Sequence, residues 1–165
     1  MKKFLIFVFS FIALLLVSIY VFVPGKVHIS KNDVAECNIS NAYRILSDTS
    51  SWQKWWPEKD GFMKRNLAGR EIFFYRGTSY RLTENSQNSI TVEMKTDYST
   101  IDSRINLIPL NYDSTRFNWN FDLSTGINPV RRLLKYREAI GIQKDFAVIL
   151  KNLKRILEDK KNLEE

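Results

Sequence analysis

The sequence predicts one α+β domain that follows a membrane-spanning helix. Residues 4–23 are apolar and uncharged, residues 62–123 alternate between apolar and polar side chains, and apolar residues recur every three or four positions over 142–157. Alternation is typical of strands with one buried face, and the longer period is typical of an amphipathic helix. Because strands and helices occupy separate parts of the chain, they favour an antiparallel sheet covered by helices. A chain of 165 residues has room for one such domain.

The apolar segment begins at Phe4 and ends at Val23. As a helix its 20 residues would extend about 30 Å, the thickness of a bilayer's hydrocarbon core. Lys2 and Lys3 precede it, which favours a cytoplasmic N-terminus and a domain on the outer side of the membrane. The bulky residues that end the segment do not fit a signal-peptidase site, so we expect an uncleaved single-pass anchor. A cleaved signal peptide is the alternative.

Pro24 and Gly25 mark the boundary, so we expect an anchor over residues 1–25 and a domain over 26–165. A strand is predicted over "KVHIS" from Lys26, then a short helix capped by Asn38 or Ser40. A turn is expected over 57–61. About five or six antiparallel strands follow, with a hairpin turn at Arg76-Gly77. Asn128-Pro129 is typical of a helix start, and the apolar period after it indicates a helix of about 18 residues.

The charge and the single cysteine and histidine exclude several classes of function. The net charge is +7, but 18 acidic residues are interleaved with 25 basic ones, so we expect no nucleic-acid partner and only a modest attraction to anionic lipids. Cys37 cannot form a disulfide within the chain, and together with His28 it is too little for a zinc site. The glycines are scattered, so no phosphate-binding loop is predicted. We expect no cofactor.

The segment "SDTSSWQKWWP" contains three of the four tryptophans. After the first strand and helix comes a D-x-x-x-W-x-x-W-x-P-like run, which is filled by Asp48, Trp52, Trp55, Trp56 and Pro57. With these residues the sequence resembles the START-like, or SRPBCC, superfamily of helix-grip folds, in particular its bacterial branch with an N-terminal membrane segment. "TRFNWNFDLSTGINPVRRL" and "DFAVILKNLKRILE" resemble that family's last strand and long C-terminal helix. The resemblance extends over about residues 26–159.

The resemblance implies a curved antiparallel sheet that grips the long helix, with a ligand cavity between them. The residues that it places at this cavity are Trp52, Trp56, Phe73, Tyr75, Tyr80, Trp119, Phe121, Phe146 and Leu150. An ordinary packed core would use the same side chains, so both interpretations remain open. Trp52 and Trp55 fit a role in packing the short helix against the sheet, whereas Trp56 would contact a ligand or lipid headgroups.

Polar residues that could take part in catalysis or in binding a ligand are predicted less clearly. Glu84, Glu93, Asp102 and Arg104 alternate with apolar residues, and the outer, solvated face of the sheet is their default position. The basic run "RRLLKYR" from Arg131 fits a solvated helix face or a contact with anionic lipid.

The function predicted from the sequence is that of a membrane-anchored domain that binds a hydrophobic or amphipathic small molecule, with a lipid as the first candidate. Two alternatives remain. A cyclase- or dehydrase-type enzyme would need a buried carboxylate or arginine with a perturbed pKa in the cavity. A protein-interaction domain would have a closed core.

Overall fold

The computed structural model describes residues 2–57, 62–67, 69–86 and 88–159. The helices are α1 (Lys2–Phe22), α2 (Ile39–Ser47), α3 (Trp52–Trp55) and α4 (Pro129–Glu158), with a 3₁₀ turn at Thr49–Ser51. The strands are β1 (Lys26–Ala35), β2 (Met63–Leu67), β3 (Arg70–Tyr75), β4 (Thr78–Ser86), β5 (Ser89–Lys95), β6 (Thr100–Asn111) and β7 (Ser114–Ser124). Most of the turn predicted over 57–61 lies outside the described residues, as do residues 160–165 of the predicted domain.

The seven strands form one antiparallel sheet in the order β1-β7-β6-β5-β4-β3-β2. Pairing of Lys26 with Ser124 and of Ala35 with Thr115 places the first strand beside the last. The inward residues of β5, β6 and β7 alternate with exposed ones, as the period-two pattern predicts. Helix α4 packs against β1 and β7. The predicted α+β class, with a sheet that holds a long C-terminal helix, is confirmed.

Helix α4 is a single helix of 30 residues rather than the predicted 18 or so. Asn128 caps it, since its side chain accepts a hydrogen bond of 3.0 Å from the Arg131 amide. Ala139 is the one residue of α4 before Ile142 that is buried. The first half of the helix therefore shows no extended apolar period. The prediction was too short because that half does not face the core.

Two strands also differ from the prediction. Strand β1 has 10 residues and continues past "KVHIS", although its second half is only partly buried. Strand β2 is exposed along its whole length and pairs on one side only, with β3. Without a buried face, β2 shows no alternation by which the sequence could reveal it.

The tryptophan segment is built by local capping. Asn38 Oδ1 accepts from the Asn41 amide at 2.9 Å and starts α2. Asp48 Oδ1 accepts from the Ser50 amide at 2.9 Å and starts the following turn. The Trp52 indole N–H donates to the Leu46 carbonyl at 2.8 Å, which fixes α3 against the end of α2.

Helix α1 has no buried residue. Among the described residues it is the one helix long and apolar enough to cross a membrane, a property that an N-terminal signal sequence shares.

Candidate ligand cleft

A cleft of about 450 Å³ opens between α4 and two turns at one end of the sheet. One turn joins β3 to β4 at Arg76 and Gly77, which both have positive φ angles of 46° and 79°. The other turn joins β5 to β6. The cleft is lined by Arg76, Gly77, Thr78, Thr96, Asp97, Tyr98, Leu134, Arg137, Glu138, Gly141, Ile142 and Asp145. Charged and apolar groups therefore share its walls.

Asp145 is the buried charge of the cleft, with 7% of its surface exposed. The Arg76 guanidinium donates to Asp145 Oδ1 at 3.0 Å, across 69 residues of sequence. Arg76 also lies over the Tyr75 ring, 5.4 Å from its centroid. About half of the Arg76 side chain stays exposed, so its positive charge remains accessible to a ligand at the mouth of the cleft.

Glu138 is on α4 and lines one side of the cleft. The Thr96 hydroxyl donates to Glu138 Oε2 at 3.0 Å and links the helix to the β5–β6 turn. Partial burial raises the pKa of Glu138 above the usual range of a glutamate, and Asp97 adds to this while the hydrogen bonds oppose it. A carboxyl group of this kind can carry a proton closer to neutral pH than an exposed one.

Some buried polar groups of the core have no hydrogen-bond partner among the described residues. The Tyr80 hydroxyl and the indole N–H groups of Trp55 and Trp56 are buried and form no hydrogen bond with the described residues. Burial, and after it the Asp145 carboxylate, raises the pKa of Tyr80 far above that of an ordinary tyrosine. The Thr78 side chain opposes this shift, although it makes no hydrogen bond of normal geometry with the Tyr80 hydroxyl. Tyr80 follows Thr78, a cleft residue, by two positions on the buried face of β4.

The indole N–H groups of the other two tryptophans, Trp119 and Trp52, have hydrogen-bond partners. The Trp119 N–H donates to the Ser103 hydroxyl at 3.0 Å, and that hydroxyl donates to the Val92 carbonyl at 2.9 Å. Trp52 is bonded to Leu46. Since buried donors in native proteins nearly always have partners, the unpaired groups need an explanation such as a ligand or an ordered water.

The nine residues predicted to line a cavity are all buried in one core cluster. Trp56 is the centre of an aromatic group and lies within 6.4 Å, between ring centroids, of Trp52, Trp55, Phe62, Tyr75, Tyr80 and Trp119. Trp119 stacks on Phe146 at 3.7 Å. None of the nine is among the residues that line the cleft. Their contact with a ligand stays a prediction.

The polar candidates from the sequence lie on the outer face of the sheet. Glu93 forms a 2.9 Å ion pair with Arg81, and Asp102 and Arg104 are exposed beside buried neighbours. His28 is exposed and lies 2.8 Å from Asp122. Arg76, Glu138 and Asp145 were not among the site residues predicted from the sequence. One signal was present, because Asp145 interrupts the apolar face formed by Ile142, Phe146 and Ile149.

No profile of a protein family and no curated protein matches this sequence. Solved structures do match its shape. Norcoclaurine synthase from Thalictrum flavum, solved with dopamine and hydroxybenzaldehyde, matches with a TM-score of 0.61 and 13% identity, over 82% of this chain and 88% of that chain. The Aha1 dimer from Colwellia psychrerythraea matches with a TM-score of 0.56 and 15% identity, over 82% and 98%. CalU16 from Micromonospora echinospora matches with a TM-score of 0.57 and 10% identity, over 82% and 79%.

Identities this low show a common fold and no common function. The similar structures are helix-grip proteins, and the sheet and C-terminal helix described above have the same arrangement. The chain therefore has the helix-grip fold of START-like proteins.

Proposed function

We propose that the protein is a membrane-anchored helix-grip protein that binds an amphipathic small molecule, with a lipid as the first candidate. The observation that carries this proposal is a cleft at one end of the core, together with buried donors of that core that have no partner among the described residues. A ligand in the cleft would meet its charged groups, and a part of the ligand that extends past the lining into the core would reach the Tyr80 hydroxyl and the Trp56 N–H. Each of these donors gains a partner only if a group with an acceptor atom reaches it.

The size and lining of the cleft define the class of ligand. A volume of about 450 Å³ is within the range of small-molecule sites, roughly 300–1,000 Å³. Arg76 and Arg137 suit an anionic or strongly polar headgroup, and Leu134, Tyr98 and Ile142 suit an apolar portion. A fully apolar ligand would remove the charged groups of the lining from water and offer them no hydrogen bond, so an amphipathic molecule fits better.

Helix α1 supplies the anchor in this proposal. Its length and composition suit one crossing of a bilayer, and Lys2 and Lys3 favour a cytoplasmic N-terminus. The cleft would then lie on the outer side of the membrane and close to its surface. A tethered binding site gains from the high local concentration of lipids in the same membrane.

Native mass spectrometry of the full-length protein, extracted in detergent from bacterial membranes, tests the proposal. We expect a bound lipid in stoichiometric amount that is lost in Tyr80→Phe and Trp56→Phe, because these changes remove the donors and keep an aromatic ring at each position. Trp52→Phe is the matched control, since its N–H is already bonded within the protein. A ligand-free wild type that takes up nothing from a mixed lipid panel would overturn the proposal.

A second candidate is an enzyme of cyclase or dehydrase type, which the raised pKa of Glu138 in the cleft favours. The norcoclaurine synthase structure, which contains dopamine and hydroxybenzaldehyde, shows that the fold can hold small aromatic molecules. Glu138→Gln separates the candidates. If the protein only binds its ligand, Glu138→Gln would leave the identity and occupancy of the bound molecule unchanged. If the protein is an enzyme, the variant would accumulate unconverted substrate in the cleft.

A further inference from the structure

Three exposed apolar side chains cluster where α4 begins. Ile127 is 86% exposed, Val130 64% and Leu133 47%. Val130 and Leu133 are three positions apart on α4 and share one face, and Ile127 precedes them in the β7–α4 loop. We call these three residues the junction patch. Exposed apolar side chains that are grouped in this way mark a contact surface more often than scattered ones do.

The junction patch is fixed beside the C-terminal end of α1. The Tyr20 hydroxyl donates to the Ile127 carbonyl at 2.5 Å. Arg132 donates to the Val23 carbonyl through Nε at 2.8 Å and through Nη2 at 2.5 Å, and its guanidinium lies 5.0 Å from the Tyr20 ring centroid. Ile127 therefore sits level with the last turn of α1. In a membrane-spanning helix that turn lies at the boundary between hydrocarbon and headgroups.

The charges around the junction patch have one sign. Residues 128–136 contain Arg131, Arg132 and Lys135 and no acid, and the first turn of α4 has no acidic residue. Positive side chains at a helix N-terminus are opposed by the helix dipole. Arg132 donates to the Val23 carbonyl and Lys135 donates one hydrogen bond of 3.2 Å to the Ser124 carbonyl, whereas the Arg131 side chain is exposed. An anionic surface beside this turn would offset the unfavourable charge.

We infer that the junction patch and its basic residues dock on the surface of the bilayer that α1 spans. In this arrangement Ile127, Val130 and Leu133 enter the boundary between headgroups and acyl chains, and Arg131 and Lys135 contact anionic headgroups. The inference rests on the proposed membrane anchoring by α1. The bilayer is the occupant because the junction patch lies beside the end of the membrane helix and the basic residues around it carry the charge that anionic lipid attracts.

Depth measurements on the full-length protein in lipid nanodiscs test the docking. An environment-sensitive dye is attached to Cys in Ile127→Cys and, as a matched control, in Tyr112→Cys. Both positions are 86% exposed, but Tyr112 lies in the β6–β7 turn, at the end of β7 opposite to the end that leads to α4. Buried Cys37, whose thiol pKa is raised to about 11, remains unlabelled at neutral pH.

We expect blue-shifted emission at position 127, quenched by nitroxide-labelled lipids at headgroup depth, and neither effect at position 112. Anionic phosphatidylglycerol in the discs will strengthen the quenching. Arg131→Gln and Lys135→Gln will each lower the ratio of docked to undocked protein about fivefold. Equal signals at 127 and 112 in discs that hold the protein would overturn the docking and leave the anchor intact. Failure to enter the discs would overturn the anchor, and the docking with it, without bearing on ligand binding in the cleft.

Discussion

We expect Trp56→Phe to destabilise the fold less than Trp52→Phe. The two indoles are 2% and 0% exposed, so each change removes the same atoms from an equally buried site. They differ in the indole N–H. That of Trp52 donates to the Leu46 carbonyl, and that of Trp56 has no partner among the described residues.

The magnitudes follow from this difference. Trp52→Phe leaves a buried carbonyl without its partner, at a cost of about 1–3 kcal/mol. Trp56→Phe removes an unpaired buried donor and recovers a similar amount. The loss of ring volume is common to both and cancels. The free energy of unfolding should therefore be lower for Trp52→Phe than for Trp56→Phe by at least about 2 kcal/mol.

The number of neighbouring rings predicts the opposite order. Trp56 contacts six aromatic rings and Trp52 contacts three. Each such pair is worth about 0.5–1.5 kcal/mol, but phenylalanine keeps most of that interaction because it keeps a ring. We therefore expect the hydrogen-bonding difference to decide the order.

Urea unfolding of the full-length protein in detergent, followed by far-ultraviolet circular dichroism, measures the difference without relying on tryptophan emission. The two variants should have equal m-values and midpoints that differ. If Trp56→Phe were as destabilising as Trp52→Phe, or more so, the Trp56 N–H would have a partner in the ligand-free protein. The argument that this donor awaits a ligand would then fail.

Three further predictions concern other parts of the chain. Burial raises the pKa of the Cys37 thiol to about 11, so alkylation at pH 8 should be slow in the folded protein and fast in urea; rapid labelling without urea would contradict the burial of Cys37. The raised pKa of Glu138 means that the folded state binds its proton more tightly than the unfolded state does. Its contribution to stability is therefore complete below the usual glutamate pKa and is lost as pH rises through the raised value, and Glu138→Gln should remove this slope from pH-dependent unfolding curves. Arg132→Ala should free the Val23 carbonyl and speed proteolysis over residues 24–26, whereas Arg131→Ala, at an exposed position, should not.

The parts of the fold that the sequence predicted are those with local signals. Alternation revealed the long strands, and Asn38 and Asn128 revealed two helix starts, because capping depends on neighbouring residues. After its cap, the first half of α4 shows no extended apolar period. Its residues line the cleft and form the junction patch instead of packing in the core. Arg76 and Asp145 are 69 residues apart, and only the tertiary arrangement brings them together. Residue spacing alone does not encode such a pair.

The cleft and the junction patch share α4, and this fixes the distance between them. Leu134, the first cleft residue on α4, follows Val130 by one turn, about 6 Å along the axis. Asp145 lies about 22 Å from Val130 along the same axis. A rigid helix with its first turn at the bilayer surface would therefore hold the near end of the cleft within a few ångströms of the headgroups. An amphipathic ligand could then pass from the membrane into the cleft with little exposure of its apolar part to water, which a more distant cleft would not permit.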